Sequence, residues 1–351
     1  MARIRLFAVL LLGLCLTRLT FADAPRPALS ETSQRVRPTI ERATAYLQTE
    51  GTSWLKTRRC AACHHVAITV WALSEADRRG YAIDRRFLAE TAEAALGSRQ
   101  KMIASGLLAN PAGPPDPRPM ARGVNPGQVF MAVAAESLPS LDDGQKESLR
   151  FIADDIVKKQ REDGSWEFFL SRPPINENQA SDAAWIIMAL LGEQGPDVPQ
   201  SHREAITKSI AWLSHTDSGE TYQDSVLKTL IAIRTKQHED QIKAAIDGLL
   251  ALQQPDGGWS QLPQTSSDAF ATGQTLYVLA LAGCKPDRPE IKRAIGFLVS
   301  TQKPDGSWPM RSRATPDGRP GSAKLLTPIT TAAGAWAVLG LTRAVPNGTH
   351  E

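Results

Sequence analysis

The chain has 351 residues, of which 42% are hydrophobic and 22% charged, with 40 basic against 37 acidic side chains and a formal net charge of +3. This is the composition of a soluble protein long enough for one large domain or two modest ones. The near balance of charge offers no electrostatic case for nucleic-acid binding, and no long run of like charge marks an interaction tail.

The N-terminus departs from this average. Arg3 and Arg5 precede an apolar run from Leu6 to Leu16, and Ala22-Asp23-Ala24 supplies small residues at cleavage spacing. Residues 1–24 therefore read as a secretory signal peptide, which implies a periplasmic or secreted protein. The run is too short for a transmembrane helix, and no later segment has enough unbroken apolar residues to span a membrane. Residues 25–32 read as a linker, 33–345 as the folded domain and 346–351 as a disordered tail. Removal of the signal leaves three cysteines, Cys60, Cys63 and Cys284, too few for a disulfide scaffold.

Along the domain, one seven-residue pattern recurs: Gln, two variable residues, Asp-Gly, a small residue, Trp. It occupies Gln160–Trp166, Gln253–Trp259 and Gln302–Trp308, with a weaker copy at Gln48–Trp54 that lacks the Asp. The spacing fits six units of about 51 residues, two of them degenerate, in the range of helical arrays. In each unit a charged, amphipathic helix leads to the turn and a more apolar helix follows it. The first helix of unit one ends at the Gln48–Trp54 stretch, and its apolar helix, with Val66, Ile68, Val70, Trp71 and Leu73, runs out at Gly80. The later pairs are 85–104 with 127–137, 143–160 with 179–192, 200–214 with 223–233, 240–252 with 270–283, and 289–300 with 329–344. A helix with one apolar face needs cover on one side, whereas one that is apolar all round needs cover on every side. The solution is two concentric rings, an all-α (α/α)6 toroid, with an open solenoid as the competing arrangement. In the turns, Asp-Gly is a turn former, the Gln amide satisfies carbonyls at a helix end and the Trp anchors the turn, so the motif reads as a structural staple.

The Gln-x-x-Asp-Gly-Ser-Trp turns, together with the inner helix Phe270–Gly283, resemble the repeats of squalene–hopene cyclases and prenyltransferase β subunits over essentially the whole mature chain. The resemblance implies a toroid whose partner is an apolar small molecule or lipid of the isoprenoid class, held in a central cavity. It also implies a terpenoid cyclase-like isomerase as one activity. The family's proton-donating Asp-x-Asp-Asp-Thr-Ala cluster is not reproduced; the candidates are the single carboxyls Asp182, Asp268 and Asp224, for which helix capping is the competing role. The zinc-ligand pattern of the prenyltransferases is not reproduced either. Asp142-Asp143 and Asp154-Asp155 fall on outer-helix segments, facing away from the interior.

One stretch has no counterpart in the other units. Cys60-Ala61-Ala62-Cys63-His64 has the form of a c-type haem attachment site, with two thiols for the porphyrin vinyl groups and His64 as the iron ligand. Export agrees with this, and haem c is the expected cofactor, with a redox partner to match. A local disulfide, a thiol redox pair or a zinc site built with His64 and His65 are the other readings of the same residues. Aligning the inner helices of units one and five places the motif at the barrel end that carries the repeat turns. The same register brings Met120 level with it, as second axial ligand or as a lid residue. The long, Pro-rich 107–126 connection and the basic 310–328 connection, with Arg311, Arg313, Arg319 and Lys324, gather at this mouth. The basic connection could hold an anionic group such as a haem propionate or a diphosphate. A non-catalytic interaction scaffold is the third functional reading.

Overall fold

The computed structural model describes residues 30–58, 64–96, 123–166, 173–192, 198–216, 221–311, 313 and 323–345. The signal peptide, Cys60, Cys63, Met120, Arg319 and the tail lie outside them. The described residues form twelve α-helices and no strand. In chain order they are α1 (Glu31–Arg58), α2 (His64–Arg78), α3 (Arg85–Leu96), α4 (Pro126–Ala135), α5 (Asp143–Lys158), α6 (Gln179–Leu191), α7 (Gln200–His215), α8 (Tyr222–Arg234), α9 (Glu239–Ala251), α10 (Ala269–Leu281), α11 (Pro289–Thr301) and α12 (Ala323–Ala344).

The even-numbered helices form the inner ring. α6 is buried at every position from Ala180 to Leu190, and α10 from Ala269 to Leu279. Odd-numbered helices bury a single stripe, such as Ile291, Ala294, Ile295 and Leu298 on α11. The inner helices pack in the order α2, α4, α6, α8, α10, α12, and α12 packs back on α2. The ring is therefore closed, which decides for the toroid against the open solenoid. The tightest seam is between α10 and α12. A Cβ on Gly273 would run into the backbone of Trp336 and Ala337, and one on Gly340 into the Gly273 carbonyl. No helix among the described residues is long and apolar enough to cross a membrane.

The repeat turns staple each unit to the next. Gln160 Nε2 donates to its own Gly164 carbonyl at 3.1 Å and to Ala205 on α7 at 2.8 Å. Gln253 does the same to Gly257 and to Glu290 on α11, both at 2.8 Å. Gln302 bonds Gly306 at 3.1 Å and Thr39 on α1 at 2.9 Å, which ties the last unit to the first. Each turn Asp accepts the N–H two residues on, and each Trp Nε1 donates to a carbonyl ten residues back, at Ile156, Leu249 and Leu298. The turn glycines sit at φ +97°, +89° and +88° and press against the neighbouring outer helix at Lys208, Arg293 and Arg42, so only Gly fits.

The weak copy, Gln48–Trp54, is no turn. α1 runs through it to Arg58, whereas the sequence pattern ended the helix at this stretch. The reason is local: Thr52 stands where the left-handed Gly should be, and Gly51 replaces the Asp. The link to the next unit survives in altered form. Gln48 Oε1 accepts the Asp84 N–H at 2.7 Å ahead of α3, and Gly51 lies against the Phe87 ring. Two helix starts shift furthest from the sequence pattern, while residues 97–104 of the expected 85–104 helix lie outside the described residues. α1 starts at Glu31, within the stretch read as linker, and α12 starts at Ala323, six residues before the expected Ile329, with Pro328 inside it.

Candidate functional site

The turn end of the barrel is also where the inner helices begin, and three neighbouring helices each place a carboxyl there, buried at Asp182 and Asp224 and half-buried at Asp268. Asp224 is the third residue of α8 and Asp182 the fourth of α6, while Asp268 is the N-cap of α10. Helix N-termini favour the ionised form of such groups, whereas burial opposes it.

The balance differs at each. Asp268 has both oxygens engaged, Oδ1 by the Ala271 N–H and Oδ2 by Gln261 Nε2, each at 2.9 Å. Burial still pushes it up to about 6, against the pull of those donors. Its geometry is that of a cap. Asp182 is not a cap: Asn178 fills that role, with Ser181 closing the capping box. The Asp182 carboxyl accepts from Asn176 Nδ2 at 2.9 Å. Burial pushes it up to about 7; the Asn176 donor opposes this and the nearby Asp224 charge adds to it. Asp224 Oδ2 accepts from Asn178 Nδ2 at 2.7 Å and from the Thr221 N–H at 2.8 Å, while its other oxygen is buried with no partner among the described residues.

The segment 175–178 is the hub of this arrangement. Its Ile175 carbonyl accepts from both Trp185 Nε1 and Gln223 Nε2 at 2.9 Å, tying α6 to α8. Glu177 is ion-paired with Arg313 from the connection after the Gln302–Trp308 turn. Burial raises the Glu177 carboxyl and Arg313 counteracts it. Arg313, expected as part of a cradle for an anion, is thus committed to a carboxylate of the protein. On α8 and α10, Tyr222 OH is hydrogen-bonded to Thr275 Oγ1.

Beneath the carboxyls, the interior is filled by rings. Trp71 of α2 meets Trp336 of α12 edge-on at 5.2 Å and Tyr277 of α10 at 5.5 Å. Trp185 packs on Phe130 at 5.0 Å and on Trp336 at 6.2 Å, and Phe270 on Trp336 at 6.3 Å. Trp71, Phe130, Trp185, Tyr277 and Trp336, for which core packing is the default expectation from the sequence and cavity lining the second, make a packed aromatic layer at this level. Beyond it, the opposite end is closed by ions. Glu75, only 3% exposed, pairs with Arg78, Arg79 and Arg343, and Glu136 with Arg234.

Of the haem-type motif, only the position is described: α2 begins at His64, at the carboxyl-bearing end of the ring. His65 is fully buried and stacks on Trp54, with ring centroids 4.2 Å apart and planes 18° from parallel. No group of three or more His, Cys, Asp or Glu poised for a metal occurs among the described residues. Cys284 follows α10 at the far end, where burial pushes its thiol up. Asp154 sits on outer helix α5, 2.9 Å from His202 of α7, and Asp142 caps α5, so both lie off the interior as the pattern required.

The structure brings Asp182 and Asp224 into electrostatic contact and sets Asp268 apart as a cap. Sequence reasoning missed Asn176, Glu177 and Asn178, which organise the site. Their signal was a run of polar residues directly before an inner helix.

Searches found no family model and no curated protein sequence that matches the chain. Solved structures do match. The type II terpene cyclase MstE from Scytonema without ligand superposes with a TM-score of 0.53 at 14% identity, covering 89% of this chain and 99% of that one. A variant of it with geranylgeranyl dihydroxybenzoate, its substrate, gives 0.53 at 14% identity, and another with merosterolic acid A, its product, gives 0.52 at 16%. In both cases 89% of this chain and 98% of the other are covered. At these identities the likeness is one of fold.

Proposed function

We propose that the chain binds an apolar molecule of the isoprenoid or lipid class at the turn-side mouth of its inner ring and transfers a proton to it from Asp182. The carrying observation is the Asp182–Asp224 pair: two buried carboxyls on adjacent inner helices, one of them pushed up to about 7. A group protonated near neutral pH is suited to general-acid chemistry. Asp224, with one oxygen unpartnered among the described residues, is the complementary base. The proton leaves Asp182 as it bonds to the ligand, and the ligand then loses a proton to Asp224. Exchange with water returns a proton to Asp182 and removes one from Asp224, so that the cycle closes as a net isomerisation. Below, Trp185 and Trp71 meet edge-on at 6.5 Å in the packed aromatic layer that bounds this site. The terpene-cyclase fold of the solved structures adds support, since those enzymes hold isoprenoid compounds in the same architecture.

Incubation of the mature protein with squalene and with all-trans-farnesol, followed by product analysis, tests the reading. An isomerised product from the wild type, lost in Asp182→Asn, is expected. Absence of both binding and product would overturn it.

A covalent c-type haem is the companion proposal. It is supported by the Cys60-Ala61-Ala62-Cys63-His64 spacing in the sequence, with His64 opening α2, and by His65 being taken up in a stack with Trp54. Cys60 and Cys63 would carry the porphyrin through thioethers formed by addition of each S–H across a vinyl group, with His64, and as a weaker candidate Met120, as iron ligands. Bound there, the group would supply one-electron chemistry at the mouth and call for a redox partner. Export to the periplasm or beyond, which the N-terminal sequence suggests, is where such attachment occurs. Mass spectrometry of mature protein co-expressed with haem-maturation machinery reports signal cleavage and the haem mass together. Its absence, with both thiols free, would remove the haem.

A further inference from the structure

The outer ring is uneven. α9 buries only Leu249, whereas α3, α5, α7 and α11 each bury four or more side chains. α9 packs on α8 beneath it but stands off from α7, and the gap is a cavity of 560 Å³. Its roof is one face of α9, with Gln241, Ala245, Gly248, Leu249 and Leu252 at helical spacing. Its floor is the outward face of α8, with Ser225, Lys228, Thr229 and Ala232, and its wall is Ile210 and Leu213 of α7. Leu252, at the rim, is 56% exposed, the only large hydrophobic side chain so exposed among the described residues. A second cavity of 410 Å³ continues past Ile210 and Gln237, which line both, and ends at Arg203.

We propose that this slot is a binding site for a linear amphiphile, an apolar tail with an anionic head, separate from the mouth of the inner ring. Its size lies within the roughly 300–1,000 Å³ of small-molecule sites, and its walls are mainly aliphatic, as such sites are. The charge of the lining selects the head. Lys228 and Arg203 line the two connected cavities, and no Asp or Glu does. Three helices of one chain wall the slot, so it fits a single extended chain rather than a flat protein face. Small side chains keep it open: Ala245 and Gly248 above, Ser225 and Ala232 below. A Cβ built on Gly248 meets nothing within 4 Å, so this glycine guards space rather than a tight backbone turn.

That open space gives a test that leaves the fold intact. Mature protein is titrated with cis-parinaric acid, a fluorescent fatty acid, and then with farnesyl diphosphate and hexadecanol as competitors. The wild type is expected to bind cis-parinarate saturably, one per chain. Gly248→Leu fills the slot and should weaken binding at least tenfold while leaving the ligand-free Tm equal or higher, because Leu is the better helix former. Lys228→Met should weaken both anionic ligands and leave hexadecanol unchanged. Competition by farnesyl diphosphate alone, or by fatty acid alone, identifies the tail. Equal binding by wild type and Gly248→Leu would overturn the site. An unchanged affinity in Lys228→Met would overturn the anionic head, and a dimer abolished by Gly248→Leu would make a second copy of the chain the occupant instead. Asp182→Asn should bind cis-parinarate normally, which separates this site from the chemistry at the mouth.

Discussion

The two ends of the inner ring contain the same kinds of side chain and use them in opposite ways. At the far end, the arginines at the C-terminal turns of α2, α8 and α12 meet the buried Glu75 and the more exposed Glu136, so both carboxylates have a cation and each cation also faces the negative end of a helix dipole. At the turn end, Asp182, Asp224 and Asp268 are answered by amides, backbone N–H groups and one shared arginine, Arg313. Matching charges make a floor that is locked. Neutral donors satisfy geometry without cancelling charge, and so leave groups that can gain and lose protons. In a barrel whose middle is filled by aromatic rings, proton chemistry thus has its place at the turn end rather than at the locked floor.

The largest expected effect comes from breaking the floor. Glu75→Ala leaves Arg343, Arg79 and Arg78 facing one another around a buried hole and should cost about 3 kcal/mol in urea denaturation, at the lower end for a broken buried pair because the arginines are partly exposed. A loss below about 1 kcal/mol would mean that the two ends are alike.

At the mouth, the prediction is a slope rather than a loss. The Asp182 proton is held more tightly in the folded chain, at about 7, than in the unfolded one near ~3.9. Its contribution to stability is therefore present in full below pH ~4 and is lost as pH rises through 7. Between pH 5 and 8 the wild type should lose about 2–3 kcal/mol through this group. Asp182→Asn should flatten that part of the profile, while Asp268 continues to titrate in the same direction, through about 6. Parallel profiles for variant and wild type would show that Asp182 does not hold the proton.

The smallest effect tests the wall around the mouth. Gln302→Ala removes the bonds to Thr39 and Gly306 and the contact with Arg42 that close unit six on unit one. A loss of about 1–2 kcal/mol is expected from calorimetry, in line with two partly buried hydrogen bonds. Its pH profile should keep the wild-type slope, since the staple touches none of the titrating carboxyls.

Much of this molecule is written locally. The period of the Asp-Gly-Trp turns, the alternation of amphipathic and wholly apolar helices and the placement of the turns at one end all follow from residue spacing, because turn chemistry and helical periodicity act over a few residues. The inner aromatic residues Trp71, Phe130, Trp185, Tyr277 and Trp336 were legible in the same way. Tertiary structure decided the rest. Only the packing of α12 against α2 could close the ring. Only the meeting of α6 with α8 could set Asp182 beside Asp224 and distinguish it from the capping Asp268, since burial and neighbouring charge depend on what the rest of the chain brings near. The helical passage through Gln48–Trp54 marks the border between the two: the missing left-handed glycine is a local fact, but the replacement contacts, Gln48 with Asp84 and Trp54 with His65, join residues that only the folded chain makes neighbours.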